Sequence, residues 1–421
     1  MKKIFYFAAV LLMGLTFTAC SSDDDNKGND TETKYKDKTY GNAAMDACDN
    51  LGSVLVKANT AIATAQLTDD QEAFLYEVLN NLVDNVIVPT YTKLADDTED
   101  LEQTLQGLTV NTITQDQINK ACADFKAARE NWERSEAFLG GAAADFDIDP
   151  TIDSWPLNRS LLLTYLRSGR TDFSNEEIED ATILGFHALE VLLFRNGQPR
   201  NVSEFKSNDT YTGFSAISGA SELAYAQRIC TLLKERTFQL QVAWEGEKNA
   251  SRAAVVKAAN LEYTTGNGLS FGDNMKQAGK TPKSTFASLT DAIAQVLSDD
   301  EGSCFGICNE VGTAKIANPF ANGDIAYVES PYSYNSITDF ADNIRSIRNV
   351  WLGSTTGSAA TYSFHAFFAS AQASTNTAVE NAYTTAVNNI SKMPAPFVKY
   401  CSIVSGKNFD DPDNWDSITE E

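Results

Sequence analysis

Histidine is nearly absent from this chain, whose 421 residues hold only His187 and His365. A metal cage built mainly from imidazoles is therefore excluded. Basic residues are also scarce, 33 Lys and Arg against 57 Asp and Glu, for a formal net charge of −24. Nucleic acid and anionic lipid need a basic face, so the charge argues against both and favours cations or cationic surfaces. Long apolar runs are missing beyond the first twenty residues, and strand-like alternation is rare. What remains is ample for a core. The chain is 43% apolar and 21% charged, which rules out wholesale disorder.

The beginning of the chain carries an address. Lys2 and Lys3 precede an apolar stretch, Ile4 to Ala19, which ends at Cys20. That stretch is short for a membrane span and suits a signal peptide. Leu15-Thr-Phe-Thr-Ala-Cys20 resembles the lipobox of bacterial lipoproteins, which implies removal of residues 1–19 and lipidation of Cys20. Ser21-Ser-Asp-Asp-Asp25 resembles the surface-export signal of Bacteroidota lipoproteins. The expectation is a cell-envelope protein anchored by lipid, in the outer membrane and facing outward. A secreted, unlipidated protein is the plainer alternative. Residues 20–40 are polar and read as a flexible acidic tether.

Six further cysteines follow, Cys48, Cys122, Cys230, Cys304, Cys308 and Cys401. An oxidising compartment permits disulfides, and spacing cannot choose among the pairings. Cys304-Phe-Gly-Ile-Cys308 lacks nearby Cys or His partners for zinc. A small disulfide loop or two free thiols are the readings left.

The rest reads as helices. Apolar residues fall at helical spacing over 42–65 and over 69–88, stopping before Pro89. Thr114-Gln-Asp-Gln117 is a capping box opening a helix over 114–139, with Ile118, Ala121, Cys122, Phe125, Ala128 and Trp132 on one face. Ser174-Asn-Glu-Glu177 is another, opening a helix to about Phe194. Further helical patterns cover 220–246, 249–264, 284–299, 336–352, 360–373 and 375–392. The fold class is all-α: two up-and-down bundles packed together, an N-terminal one over 41–210 and a C-terminal one over 211–410. The Gly- and Pro-rich stretch 300–335 is a long, partly irregular connection, of the kind often tied to function. Arg129-Glu-Asn-Trp132 and Arg348-Asn-Val-Trp351 form a faint internal echo, although four-residue matches arise easily by chance.

The segment that carries chemistry is Gly185-Phe-His187-Ala-Leu-Glu190. From Ala181 to Phe194 the pattern is apolar nearly all round, as in a buried helix. His187 and Glu190, three apart, share a face. A carboxylate there needs a metal, an arginine or a proton-sharing partner. Gly185, one turn away, permits close backbone approach. The spacing is neither H-E-x-x-H nor H-x-x-E-H, since Val191 follows Glu190. A structural His–Glu hydrogen bond is the simpler reading of H-x-x-E alone. Upstream, Glu133 and Glu136 end a helix, and Asp147, Asp149 and Asp153 lie in a loop closed by Trp155-Pro156. Folded back, Glu136 and Asp153 would join His187 and Glu190 in a hard, open site suited to iron, zinc or manganese. A solvated acidic loop is the alternative.

These pieces resemble a family. ARENWERSEAF, DIDPTIDSWP and GFHALE, then KIANPF, VESPYSYNSITDFADNI and RNVWLG, are similar to the imelysin family, whose hallmark G-x-H-x-x-E is here Gly185, His187 and Glu190. They also look like the helical domain of periplasmic ferrous iron uptake components. The resemblance covers about residues 42–400. It implies two helical halves with a site between them and metal ligands at Glu136, Asp153, His187 and Glu190. The second half would close a ligand pocket with Trp155, Glu329, Ser333 and Arg348. Ser330 and Ser333 are also placed to cap a helix starting near Ser336.

The expected function is capture of iron, or of an iron-containing ligand such as haem, for uptake, with a membrane transport partner and no nucleic acid. His187 or His365 would be the axial ligand of a haem, although His365 sits in an aromatic run that suggests packing. Two alternatives stand: a metallopeptidase with Glu190 as base, and an interaction module without metal.

Overall fold

The computed structural model describes residues 33–174 and 178–415. The signal peptide, Cys20, the acidic tract and most of the tether lie outside them, as does most of Ser174–Glu177.

The described chain is all-α. Its principal helices are α1 (Thr39–Ala63), α2 (Asp69–Leu82), α3 (Val88–Leu105), α4 (Gln115–Glu133), α5 (Gly185–Leu193), α6 (Gly219–Glu245), α7 (Cys304–Glu310), α8 (Ser336–Leu352) and α9 (Ala373–Lys392). Among the described residues the one sheet is a hairpin pairing Phe194–Arg195 with Gln198–Pro199. Among the described residues no helix is long and apolar enough to cross a membrane.

Local rules explain most of these elements. Thr68 and Thr114 cap α2 and α4, with Gln71 and Gln117 reaching back in full capping boxes. The apolar stripe of α4 is buried from Ile118 to Trp132, as its spacing predicts. Two expectations fail at prolines. The helix does not stop before Pro89: it passes through a wide π turn, Val83–Ile87, and continues as α3. Likewise 300–335 is not mainly loop. It holds α7, a second π turn at Val311–Ala317, and a short turn, Asn318–Phe320, containing Pro319. Proline removes one rung of the helical ladder, and a wider turn just before it lets the axis run on.

Packing crosses the 210/211 boundary in both directions. α1 packs against α9 and α7, whereas α6 packs against α3 and α5; α8 bridges α4 and α9. One core cluster runs from Tyr35 to Trp415. The tether ends sooner than residue 40, because Tyr35 is buried and its hydroxyl donates to the Ala395 carbonyl. The expected helix from 174 to 194 is shorter. A 3-10 turn, Ala181–Ile183, precedes α5, and all nine residues of α5 are buried. The six cysteines from Cys48 onward are free and buried.

Gly185 starts α5 with φ +65°, and a Cβ there would collide with the carbonyl of Ile152. This contact lays α5 directly on the short helix Ile148–Asp153. Gly185→Ala is expected to destabilise the protein by about 3 kcal/mol or more, from positive-φ strain plus the collision. Gly266→Ala, where a Cβ meets nothing, should be near neutral; thermal melts of both variants check this.

Candidate metal centre

Four segments converge on one buried charge. Arg129 sits near the end of α4 on its apolar face and is 1% exposed. Its Nη2 lies 2.5 Å from Glu133 Oε1 and 2.7 Å from Glu329 Oε1; its Nη1 pairs with Asp153 Oδ1; its Nε is 3.7 Å from Asp339 Oδ2. An unpaired guanidinium would be prohibitive here, so these acids neutralise it. The Trp132 indole N–H also donates to Asp153 Oδ2, at 2.5 Å.

A second buried cation sits alongside. Lys315 Nζ, in the π turn at 311–317, is 3.0 Å from Glu329 Oε1, 3.5 Å from Glu310 Oε1, 3.9 Å from Glu133 Oε2 and 4.0 Å from Glu136 Oε1. Six carboxylates thus face two cations: Glu133, Glu136, Asp153, Glu310, Glu329 and Asp339.

His187 joins this cluster. Its Nε2 lies 3.1 Å from Asp153 Oδ1 and 3.9 Å from Glu329 Oε1, without the alignment of a hydrogen bond. Asp153, His187 and Glu329 offer ligand atoms all within 4.8 Å of one another, and so do Glu133, Glu136 and Asp153. Two overlapping seats therefore share Asp153. Their donors, one imidazole nitrogen and carboxylate oxygens, suit a borderline-to-hard divalent cation. His187 Nε2 and Glu329 Oε2 are buried without hydrogen-bond partners, as expected of atoms that meet a ligand.

The predicted residues part company here. Asp153 meets His187 in one seat and Glu136 in the other, and Glu329 completes the first. Glu190 stands apart. Its Oε1 accepts from the backbone N–H of Tyr332 (3.0 Å) and of Ser333 (2.7 Å) and from the Ser333 hydroxyl (2.6 Å). Glu190 therefore fixes the turn that carries Glu329, and it belongs to neither seat. Ser333 acts through Glu190, and Ser330 donates to Asp339; neither serine caps α8, whose cap residue is Asn335. Trp155 lines a cavity of about 20 Å³ beside His187 and Glu190, room for one water. A haem on His187 would require this wall to open. Arg348 faces elsewhere, its guanidinium 5.4 Å from the Tyr383 ring centre. His365 is half-buried on the helix Phe364–Ala371.

Four participants were missed: Arg129, Lys315, Glu310 and Asp339. Arg129 had a signal, since it falls on the buried stripe of α4 four residues before Glu133. Lys315 had none beyond lying among apolar neighbours.

Crowding sets the protonation. Burial, aided by the Glu329 charge and opposed by Arg129, pushes Asp339 up to about 7. Burial and then the Asp153 charge push Asp149 up to about 7. Burial drives Glu133 and Glu136 well above the usual range, against Arg129 and Lys315 at Glu133 and against Lys315 at Glu136. At Asp153 burial is outweighed by Arg129 and His187, which hold the carboxyl below its ordinary value. Lys315 stays an ammonium: burial disfavours its charge, but Glu329, Glu133, Glu136 and Glu310 overcome that.

A carboxyl raised from about 3.9 to about 7 keeps its proton in the folded state over that interval. Its contribution is complete below the lower value and is lost as pH climbs through the upper one. The metal-free protein should lose stability from about pH 4 to pH 7, by up to about 1.4 kcal/mol per unit for Asp339, and level off above that. Asp339→Asn should flatten the fall. Thermal melts across that range test both statements, and stability that climbs with pH would contradict them.

The comparisons with known proteins come to the same place. A protein called iron-regulated protein A, from Synechococcus elongatus, is 26% identical over 277 residues, which span 66% of this chain and 64% of that protein. The match thus covers less than two thirds of that relative's length. A solved structure from Parabacteroides distasonis, provisionally described as an iron-regulated protein A precursor, has the same fold: its TM-score is 0.58 at 24% identity, over 82% of this chain and 96% of that one. The imelysin family model matches residues 87–418. That is more than three quarters of the sequence, and it contains both cations and every carboxylate of the buried cluster: the chain belongs to the imelysin family.

Proposed function

We propose that this protein captures iron, as an ion or within an iron-containing ligand, through His187, Asp153 and Glu329, with Glu133 and Glu136 as neighbouring donors. The observation that carries this reading is the meeting of His187 with carboxylates from two distant segments, its Nε2 3.1 Å from Asp153 Oδ1 and 3.9 Å from Glu329 Oε1. Support comes also from the surplus of acid over base in the cluster and from the name of the Synechococcus relative, iron-regulated protein A. Hard oxygen donors with one imidazole suit iron, and manganese or zinc would compete for the same seat. The metallopeptidase reading has less support, because Glu190, its candidate base, stands outside both groups of ligand atoms and holds the turn at 332–333 through Oε1, leaving only its buried Oε2 without a partner.

The same proposal places the protein in the cell envelope, held by lipid on Cys20 at the outer membrane, where captured iron passes to a transport partner. Two experiments test these statements. Untagged protein should bind about one metal per chain in titrations with Fe(II), Fe(III) and Zn(II), and His187→Ala should weaken binding by about tenfold or more. No binding of any metal, or of haem, to the wild type would end the reading. Expressed in its native host, the wild type should fractionate with membranes, and Cys20→Ala should not; equal fractionation would remove the anchor.

A further inference from the structure

We propose that Lys315 is a tethered counter-cation occupying the metal seat, and that a divalent cation binds by displacing its ammonium toward solvent. The inference rests on the metal-binding reading above and adds to it a gate.

The geometry is that of a bound cation. Four carboxylates from three segments surround one ammonium at 3.0 to 4.0 Å. Of these contacts, the one to Glu329 is a hydrogen bond. Glu329 is a donor in one seat; Glu133 and Glu136 are donors in the other. A divalent ion in either seat would share its oxygens with Lys315 and would be repelled at close range. Ion and ammonium therefore compete.

Arg129 is the wrong candidate for displacement. Its planar fork engages Glu133, Asp153 and Glu329 at once, and such a fork is pre-organised. A lysine is a point charge on a flexible stem. Two features of the backbone and rim favour its departure. Lys315 lies in the π turn Val311–Ala317, a wide turn type that is common at functional sites. Glu310, 3.5 Å from Nζ, has a side chain 45% exposed, so it offers the ammonium a partner at the edge of the cluster. A second observation points the same way: His187 Nε2 and Glu329 Oε2 are buried and lack hydrogen-bond partners. Lys315 satisfies Glu329 Oε1 and leaves these two atoms waiting. The exchange is favourable in charge, one positive charge leaving and two arriving among six acids.

The test uses the full mature chain with Zn(II), and with Fe(II) under anaerobic conditions. Lys315→Met and Lys315→Gln should bind about tenfold more tightly than the wild type by calorimetric titration, whereas Lys315→Arg should bind more weakly. In the wild type, amine acylation followed by mass spectrometry should show Lys315 protected without metal and labelled about tenfold faster with it. If the wild type binds metal and the neutral variants bind no tighter, the gate is wrong and the metal site stands. Unchanged labelling on metal binding also refutes the gate, and it decides the matter if the neutral variants fail to fold. If neither wild type nor variants bind any metal, both readings fall.

Discussion

A positive charge that cannot reach water organises this molecule. Arg129 is almost fully enclosed, and removing its solvation costs several kcal/mol. The offset comes from acids on separate parts of the chain: Glu133 on the same helix, Asp153 on the short helix before the hairpin, Glu329 in the turn before α8, and Asp339 in the first turn of α8. No one segment can satisfy the guanidinium, so the early and late helices must meet there. Gly185 and Glu190 serve the same convergence. The first lets α5 press against Ile152, the neighbour of Asp153; the second ties down the turn holding Glu329. The motif thus divides its labour, with His187 facing the cluster and Glu190 building it.

A second buried network shows what a purely structural solution looks like. Arg195 and Arg200 meet Asp209 and Glu222, with contacts of 2.6 and 2.8 Å in the tightest pairs. Two cations face two fully buried acids, with Glu204 at the rim 3.1 Å from Arg200 Nε, and aromatic rings of Tyr211, Phe214 and Phe205 cover the guanidiniums. The Arg129 cluster lacks that balance. Its excess acid must hold protons or attract a cation.

Much of the architecture is legible in residue order. The helix Ser336–Leu352 has the ends that its pattern predicts, and the stripe on α4 is buried as its spacing requires. The failures are physical. At Pro89 and Pro319 the sequence rule reads a stop, yet a π turn absorbs the missing hydrogen bond, and no local signal distinguishes the two outcomes. In the site, Asp153 and His187 could be paired because the acidic stretch after Glu136 can fold back onto the buried helix and because the family resemblance implies both as ligands. Glu190 carries the same chemical letters as a ligand, and only the tertiary path of residues 332–333 shows where its oxygen goes. Arg348 matched Arg129 in the R-x-x-W echo, and the two places share two contact types. Each arginine lies over an aromatic ring, and each tryptophan donates its indole N–H to a side-chain oxygen, Asp153 for Trp132 and Asn376 for Trp351. Only the first copy gathers acids, so the repeated frame does not carry the chemistry.

The six enclosed thiols have a consequence for how such a chain can be made and handled. Burial pushes the Cys48 and Cys122 thiols up to about 12, so almost none is present as the nucleophilic thiolate at neutral pH. No covalent bridge joins any of the six. The described body is therefore held by packing, hydrogen bonds and ion pairs, and none of these six thiols needs an oxidase to bridge it or an isomerase to sort it.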